Sequence, residues 1–222
     1  MENNFNFDIH ESFISRTIEL AYRGIGKVSP NPLVGCVLVK NGEIIGEGYH
    51  KEFGGPHAEV MAIRNARKDP LDSVAYINLE PCCIEGKTPP CTKVLIENGI
   101  SEVYIGMLDP NPKVNGKGVD ELEKSGIIVH KNILMEECCQ LNLGFAKWIS
   151  TGLPYVIAKV AQSKDGYMGL NSETSIWITG DVSKKHTHKL RSTVDAILIG
   201  KNTALIDNPS LTVREVSGFN PK

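Results

Sequence analysis

The sequence has 222 residues, of which 41% are hydrophobic, and this content supports a packed core and argues against global disorder. The 24 basic and 26 acidic residues give a net charge of −2, so no basic field favours binding to nucleic acid or to an anionic membrane. The apolar runs are too short to span a bilayer, and the N-terminus has no apolar signal core. We therefore expect a cytoplasmic protein with neither nucleic-acid nor membrane partners.

The pattern of the first 150 residues predicts an α/β layer in which helices cover a central sheet. Asp8 and Glu11 are spaced as in a helical capping box, and apolar residues follow them at helical spacing. Asn41-Gly42 separates two apolar stretches, which is the typical signal of a β-hairpin. The other elements predicted here are helices at 57–68, 91–98 and 118–124 and strands at 74–79, 102–108 and 127–129.

A domain boundary is predicted near residues 150–154, which divides the chain into domains at 1–150 and 151–222. Beyond it the pattern predicts strands at 155–160, 176–179 and 194–199, a turn at 164–166 and a helix near 183–191. The segment after the boundary is short for an independent domain. We therefore expect the second domain to be incomplete in this chain.

Chemistry is expected where three of the six cysteines cluster among prolines, at Cys82, Cys83 and Cys91. Without an export signal, such a cluster indicates a metal site or a nucleophile more than a disulfide framework. His57 lies at a predicted helix start, Cys82 follows a predicted strand and Cys91 opens the next helix. One histidine and two cysteines are ligands that zinc prefers, and they leave a fourth tetrahedral position for water.

Glu59 follows the candidate histidine ligand by two residues. On the first turn of a helix its carboxylate would point towards the metal-bound water, take its proton and return it to a leaving amine. A closed structural site with Cys83 as fourth ligand is the alternative, but Glu59 then has no task.

The motif His57-Ala58-Glu59 followed by Pro81-Cys82 resembles the zinc-dependent cytidine deaminase superfamily, although eight residues instead of two separate Cys82 from Cys91. The stretches 31–35, 48–50 and 86–91 are similar to the deaminase domain of the bifunctional deaminase/reductases of riboflavin biosynthesis. This resemblance covers roughly residues 9–150 and implies a cytidine-deaminase-like three-layer α/β/α domain. It further implies zinc bound by His57, Cys82 and Cys91, proton transfer by Glu59, and a substrate pocket bordered by Asn31 and His50.

One position departs from that family, because Ile84 stands where the family usually has a histidine that helps to position the substrate. Lys87 and Thr88 remain as candidate contacts to a phosphate or to the ring, and Lys87 could equally be a solvated surface residue.

Residues 153–214 resemble the start of the same family's reductase domain, a dihydrofolate-reductase-like α/β fold that uses NADPH. The resemblance implies a cofactor site lined by Ala161, Trp177, Thr203 and Asp207. It also implies that Ser175, Arg191, Leu211 and Arg214 meet the ribosyl-phosphate substrate. These residue types suit such roles, since arginine binds phosphate through two parallel hydrogen bonds and tryptophan offers a flat apolar wall.

Together the resemblances imply a riboflavin-biosynthesis enzyme that uses zinc to deaminate 2,5-diamino-6-(5-phosphoribosylamino)pyrimidin-4-one to the aminouracil by hydrolysis. NADPH-dependent reduction of the ribosyl group is expected only from a longer protein, so this chain should deaminate but not reduce. Two alternatives stay open: a nucleic-acid or nucleoside deaminase, which would favour a more basic surface, and a non-catalytic zinc-stabilised scaffold. The expected partner is a small molecule, and a homo-oligomer is compatible with the sequence.

Overall fold

The computed structural model of the protein describes residues 4–85, 89–169 and 177–221. The chain divides into two compact units, Met1–Tyr155 and Val156–Lys222. None of the helices in the described ranges combines the length and the apolar character needed to cross a membrane.

The first unit is built on a five-stranded sheet with the strand order β2-β1-β3-β4-β5. Its strands are β1 (Gly35–Lys40), β2 (Glu43–Tyr49), β3 (Val74–Leu79), β4 (Glu102–Met107) and β5 (Ile128–Lys131). β1 pairs antiparallel with both β2 and β3, whereas β3, β4 and β5 run parallel. The carboxyl ends of the parallel strands therefore share one edge of the sheet, where sites in such sheets commonly form.

Helices cover both faces of this sheet and make it the middle of three layers. The helices of the unit are α1 (Asn4–Tyr22), α2 (Ala58–Arg64), α3 (Cys91–Glu97), α4 (Lys117–Lys124), α5 (Met135–Leu141) and α6 (Leu143–Thr151). One buried cluster joins alternate strand residues such as Leu38 to α2, α3 and α4, and a second joins residues such as Val37 to α1 and α5. This alternation follows from the two-residue period of a strand, and it confirms the predicted three-layer α/β/α class.

The predicted hairpin is confirmed, and the predicted start of the first helix is wrong. Asn41 and Gly42 connect β1 to β2 with φ angles of 52° and 78°, as a type I′ turn requires. α1 begins at Asn4, so Asp8 lies inside the helix and cannot act as its N-cap.

The second helix ends at Arg64, four residues before the predicted end at 68. The side chain of Asn65 instead donates to the Glu47 carbonyl at 2.9 Å, and the Arg67 backbone N–H donates to the Ile45 carbonyl at 2.8 Å. Because these bonds satisfy carbonyl groups on the outer edge of β2, the chain leaves the helix to cover that edge.

In the second unit the described residues form two helices, α7 (Asp181–Arg191) and α8 (Lys201–Asp207). The helix near 183–191 and the turn at 164–166 are confirmed. The strands predicted at 155–160 and 194–199 are wrong, as is the described part of 176–179, since these residues pair with no strand in the described ranges. Their apolar content favours strands, but a strand also needs a hydrogen-bonded neighbour.

Candidate active site

The candidate metal ligands converge from three separate loops at helix starts and a strand end. His57 directly precedes α2, Cys82 follows β3 by three residues, and Cys91 is the first residue of α3. The His57 Nδ1 atom lies 3.2 Å from the Cys91 Sγ atom and 3.5 Å from the Cys82 Sγ atom. Zinc with ordinary bond lengths and tetrahedral angles separates nitrogen and sulfur ligands by about 3.6 Å. The donor set therefore fits a zinc ion, with three protein ligands and an open position.

The pKa values of the two candidate cysteine ligands also favour metal binding. Hydrogen bonding from Cys91, with further support from His57, holds the pKa of Cys82 at about 4 despite its burial. The hydrogen bond to Cys82 and burial together raise the pKa of Cys91 well above its ordinary value. The lowered pKa of Cys82 favours the thiolate form that a metal ion binds, and binding through Cys91 would release its proton.

Glu59 lies on the first turn of α2, next to the candidate ligands. Its side chain is 3% exposed, and burial raises the pKa of its carboxyl group. The neighbouring Cys82 raises the pKa of this carboxyl group further, and the neighbouring His57 opposes the rise. A buried carboxyl group with a raised pKa can both accept and donate a proton near neutral pH, which general acid–base catalysis requires.

A glycine fixes the position of this helix start against the sheet. A Cβ atom on Gly48 would lie 2.3 Å from the Ala58 carbonyl oxygen, so only glycine lets the first turn of α2 approach β2 so closely. The close approach sets the depth at which Glu59 is buried.

Asn31 and His50 form a hydrogen-bonded pair at the border of the same site. His50 Nδ1 lies 3.0 Å from the Pro56 carbonyl, which can only accept, so this nitrogen carries the proton. Its Nε2 atom then accepts from the Asn31 amide at 3.0 Å, and burial lowers the pKa of His50, in agreement with the neutral ring. The His50 ring packs edge-on against the His57 ring with centroids 5.5 Å apart, which places the pair beside the candidate ligands.

Two buried asparagines that the sequence analysis did not single out hold the segment that carries Asn31. Asn142 accepts from the Leu33 N–H at 2.8 Å and donates to the Leu33 carbonyl at 3.0 Å. Asn78 donates to the same carbonyl at 2.9 Å and accepts from the Gly35 N–H at 2.7 Å. An asparagine inside the apolar run 74–79 was the available sequence signal, since a buried polar side chain needs partners.

In the second unit, the structure brings together part of the predicted substrate set. The Arg191 side chain donates to the Thr212 carbonyl at 2.6 Å, and the Arg214 side chain donates to the Thr212 hydroxyl at 3.0 Å, so both arginines contact the residue that follows Leu211. Burial and the neighbouring Arg214 lower the pKa of Arg191, which is the electrostatic setting that an anion would relieve. Ser175, like Lys87 and Thr88, lies outside the described residues.

In the described part of the chain, the four residues predicted to line the cofactor site are not joined by contacts in the way that the two arginines are. Thr203 and Asp207 lie one turn apart on α8, and the Trp177 side chain is 76% exposed with the Lys184 Nζ atom 4.4 Å from its ring centroid. Ala161 is half-buried. Among the described residues, no hydrogen bond or ion pair connects these four side chains, so their joint role stays a prediction.

Known proteins resemble the chain along nearly its whole length. Residues 8–107 match the cytidine and deoxycytidylate deaminase zinc-binding region, and residues 154–222 match the RibD C-terminal domain. Riboflavin biosynthesis protein RibD of Actinobacillus pleuropneumoniae is 44% identical over 99% of this chain and 58% of its own length. RibD of Escherichia coli is 46% identical over 92% of this chain and 56% of its own length.

Solved structures give the same result for the fold. The diaminohydroxyphosphoribosylaminopyrimidine deaminase/5-amino-6-(5-phosphoribosylamino)uracil reductase of Thermotoga maritima superimposes with a TM-score of 0.92 at 44% identity, over 97% of this chain and 62% of that one. Acinetobacter baumannii RibD gives a TM-score of 0.89 at 40% identity, over 96% of this chain and 60% of that one. The chain thus spans a little more than half the length of the relatives it matches. Over the length that they share, the chain is therefore similar to the riboflavin biosynthesis proteins RibD, and its three converging ligands lie within the part that matches the deaminase zinc-binding region.

Proposed function

We propose that the protein is a zinc-dependent pyrimidine deaminase of riboflavin biosynthesis that acts on 2,5-diamino-6-(5-phosphoribosylamino)pyrimidin-4-one. The observation that carries this proposal is the buried carboxyl group of Glu59 beside a set of three donors that fits zinc, close enough for Cys82 and His57 to shift its pKa. The deaminase/reductase name of the similar Thermotoga maritima structure supports this class of substrate.

In the proposed reaction, water adds to the amino-bearing ring carbon, the C–N bond breaks and the nitrogen leaves as ammonia. Zinc, when bound by His57, Cys82 and Cys91, supplies Lewis acidity that makes water a nucleophile at neutral pH. Glu59 accepts a proton as the water attacks and returns it to the departing nitrogen. Its burial excludes competing water and keeps its pKa raised, so that both transfers are accessible.

Asn31 and His50 are proposed to orient the pyrimidine ring. The neutral His50 ring fixes the Asn31 amide with its NH₂ group turned to the histidine. The Asn31 carbonyl oxygen has no hydrogen-bond partner among the described residues and can accept from an N–H group of the substrate. A fixed acceptor of this kind favours a ring that presents a donor at that point.

We propose residues 1–150 as the deaminase domain and 151–222 as part of the NADPH-dependent reductase domain of the whole protein. The proximity of Arg191 and Arg214 supports binding of the substrate phosphate there, and Ala161, Trp177, Thr203 and Asp207 are proposed to line the cofactor. We further propose a cytoplasmic enzyme without nucleic-acid or membrane partners, and the net charge of −2 supports the absence of such partners. Sedimentation measurements would test assembly into a homo-oligomer.

Turnover by a Glu59→Gln variant tests the deaminase proposal. The amide keeps the shape of the side chain but cannot accept the proton, so ammonia release should fall by about 10²–10⁴-fold or more while zinc remains bound. Glu123→Gln, an exposed substitution on α4 with the same change of charge, is the matched control and should retain full turnover. Near-normal ammonia release by Glu59→Gln would support the scaffold alternative. Turnover of single-stranded oligonucleotides in preference to the diaminopyrimidine would support the editing alternative.

A further inference from the structure

Glu80 holds a buried carboxylate beside the candidate metal site, and its partners are all backbone amides. The side chain is 2% exposed. Its Oε2 atom accepts from the N–H groups of Asp109 at 3.0 Å and Gly116 at 2.9 Å. Its Oε1 atom accepts from the N–H groups of Gly118 at 3.0 Å and Val119 at 3.3 Å. Four such bonds fix the carboxylate rigidly, because moving it would strand buried donors.

These bonds connect the loop that carries Cys82 to two other elements. Glu80 and Cys82 are separated only by Pro81, whose ring restricts the backbone between them. The amides of Gly118 and Val119 belong to the first turn of α4, where the helix dipole favours a negative charge. The Glu80 backbone N–H in turn donates to the Met107 carbonyl at the end of β4, at 2.9 Å.

Gly118 brings α4 into direct contact with the same loop. A Cβ atom at this position would lie 2.2 Å from the Pro81 carbonyl oxygen and 3.1 Å from the Glu80 Oε1 atom. Any larger residue must therefore displace the loop one residue before Cys82. On its other side the loop is held by Thr92, whose N–H donates to the Cys82 carbonyl at 3.2 Å.

We propose that Glu80 and Gly118 position the Cys82 thiolate for the metal, as a clamp between the end of β3 and the start of α4. This inference rests on the proposed zinc site and adds to it two residues that contact neither metal nor substrate. The two cysteine ligands are then held relative to each other, because Thr92 bonds to the Cys82 carbonyl and directly follows Cys91 in α3. Partners that orient ligands in this way typically change metal affinity by about 10- to 100-fold when they are lost.

The amide variant Glu80→Gln tests the clamp. All four partners are donors, so the new NH₂ group must face two N–H groups with which it cannot bond. Competition with a chromogenic chelator should show zinc affinity about 10- to 100-fold weaker than in the parent chain. Glu123→Gln carries the same charge change on the exposed face of α4 and should bind zinc as the parent does. Substitution with Co²⁺ should give an altered visible spectrum for Glu80→Gln and the parent spectrum for Glu123→Gln, because a displaced thiolate changes the coordination geometry.

A second variant separates positioning from charge and from loss of folding. Gly118→Ala leaves every charge in place but pushes on Pro81, and it too should weaken zinc binding and alter the Co²⁺ spectrum. Gly144→Ala in α6, where a Cβ atom meets nothing within 4 Å, is its control and should bind zinc normally. Parent-like zinc affinity and Co²⁺ spectrum in Gly118→Ala would overturn the clamp, whether or not Glu80→Gln folds. A parent chain that binds no zinc would instead overturn the proposed function on which the clamp rests.

Discussion

The two units of the chain, Met1–Tyr155 and Val156–Lys222, both contain apolar runs rich in β-branched residues. These runs form buried strands in the first unit, whereas their described residues belong to no strand in the second. In the first unit, β3 and β4 lie between neighbours, and Ile77 and Ile105 are fully buried. In the second unit, Val156 is 79% exposed and Leu198 is 98% exposed, and neither belongs to a strand. A run of apolar residues therefore becomes a strand only where another strand satisfies its backbone groups.

Hydrogen exchange should show the largest difference between the units. Amides in the middle of β3 and β4 exchange only when the whole unit opens, so we expect protection on the order of 10⁴-fold or more for a unit of ordinary stability. Amides at 156–160 and 194–199 lack strand partners and should exchange almost as fast as in an unfolded chain. Mass-spectrometric exchange of the 222-residue chain measures both sets together. Equal protection at 194–199 and in β3 would contradict the comparison.

Two leucine truncations sharpen the same contrast in free energy. Leu38 in β1 is 0% exposed, and Leu38→Ala should lower the free energy of unfolding of the first unit by about 2–5 kcal/mol. Leu198→Ala removes the same atoms from a 98% exposed side chain and should change stability by less than about 0.5 kcal/mol. Urea titrations followed by the fluorescence of Trp148 and of Trp177, one tryptophan in each unit, can report the two effects. A large loss on Leu198→Ala would mean that this side chain is buried in solution.

The sequence was most informative where the determinants are local. The turn at Asn41-Gly42, the strand at 74–79 and the motifs around His57, Cys82 and Cys91 all depend on residues close together in the chain, and the structure places the three candidate ligands together. Their roles stay predictions. The features that could not be predicted depend on contacts between residues far apart in the sequence, such as the hydrogen bond between Asn142 and Leu33, which are 109 positions apart.

Two further differences between the predicted and the observed elements also arise from contacts between residues far apart in the sequence. The helices α5 and α6 were not predicted, because the charged and cysteine-rich run 135–141 has no clear apolar period and packs by tertiary contact. The strands expected at 155–160 and 194–199 required partners that the local pattern does not reveal.

A buried carboxyl group offers a smaller, pH-dependent test, which only a well-packed unit can show. Burial raises the pKa of Asp109 to about 6 from 3.8, so the folded chain holds this proton more tightly than the unfolded chain between about pH 4 and 6. The contribution of Asp109 to the stability of the parent chain should therefore fall as pH rises through this window. Asp109→Asn does not titrate, and it should gain at most about 3 kcal/mol over the metal-free parent at pH 7, with the gain lost below about pH 4. Urea titrations at pH 3.5, 5 and 7 measure this difference. A gain of the same size at every pH would rule out titration of Asp109 as its cause.

The smallest expected difference concerns one ion pair in each unit. Arg16 contacts Glu47 through two hydrogen bonds of 2.7 and 3.1 Å, and both side chains are about one-third exposed. Lys184 contacts Asp181 at 3.1 Å within one helix, and the Asp181 side chain is 89% exposed. Paired contacts between half-buried groups hold their geometry better than a single exposed contact, so double-mutant cycles should give about 1 kcal/mol for the first pair and about 0.3 kcal/mol for the second.

Alanine variants, with each tryptophan reporting its own unit, supply the two cycles. Raising the salt concentration to 1 M should remove most of the second coupling and less of the first, because screening acts most on exposed charges. If the Lys184–Asp181 coupling equalled that of Arg16–Glu47 and resisted salt equally well, the second unit would be more closely packed around α7 than the exposure of its side chains indicates. The second unit would then be less well packed than the first only at the unpaired runs 156–160 and 194–199.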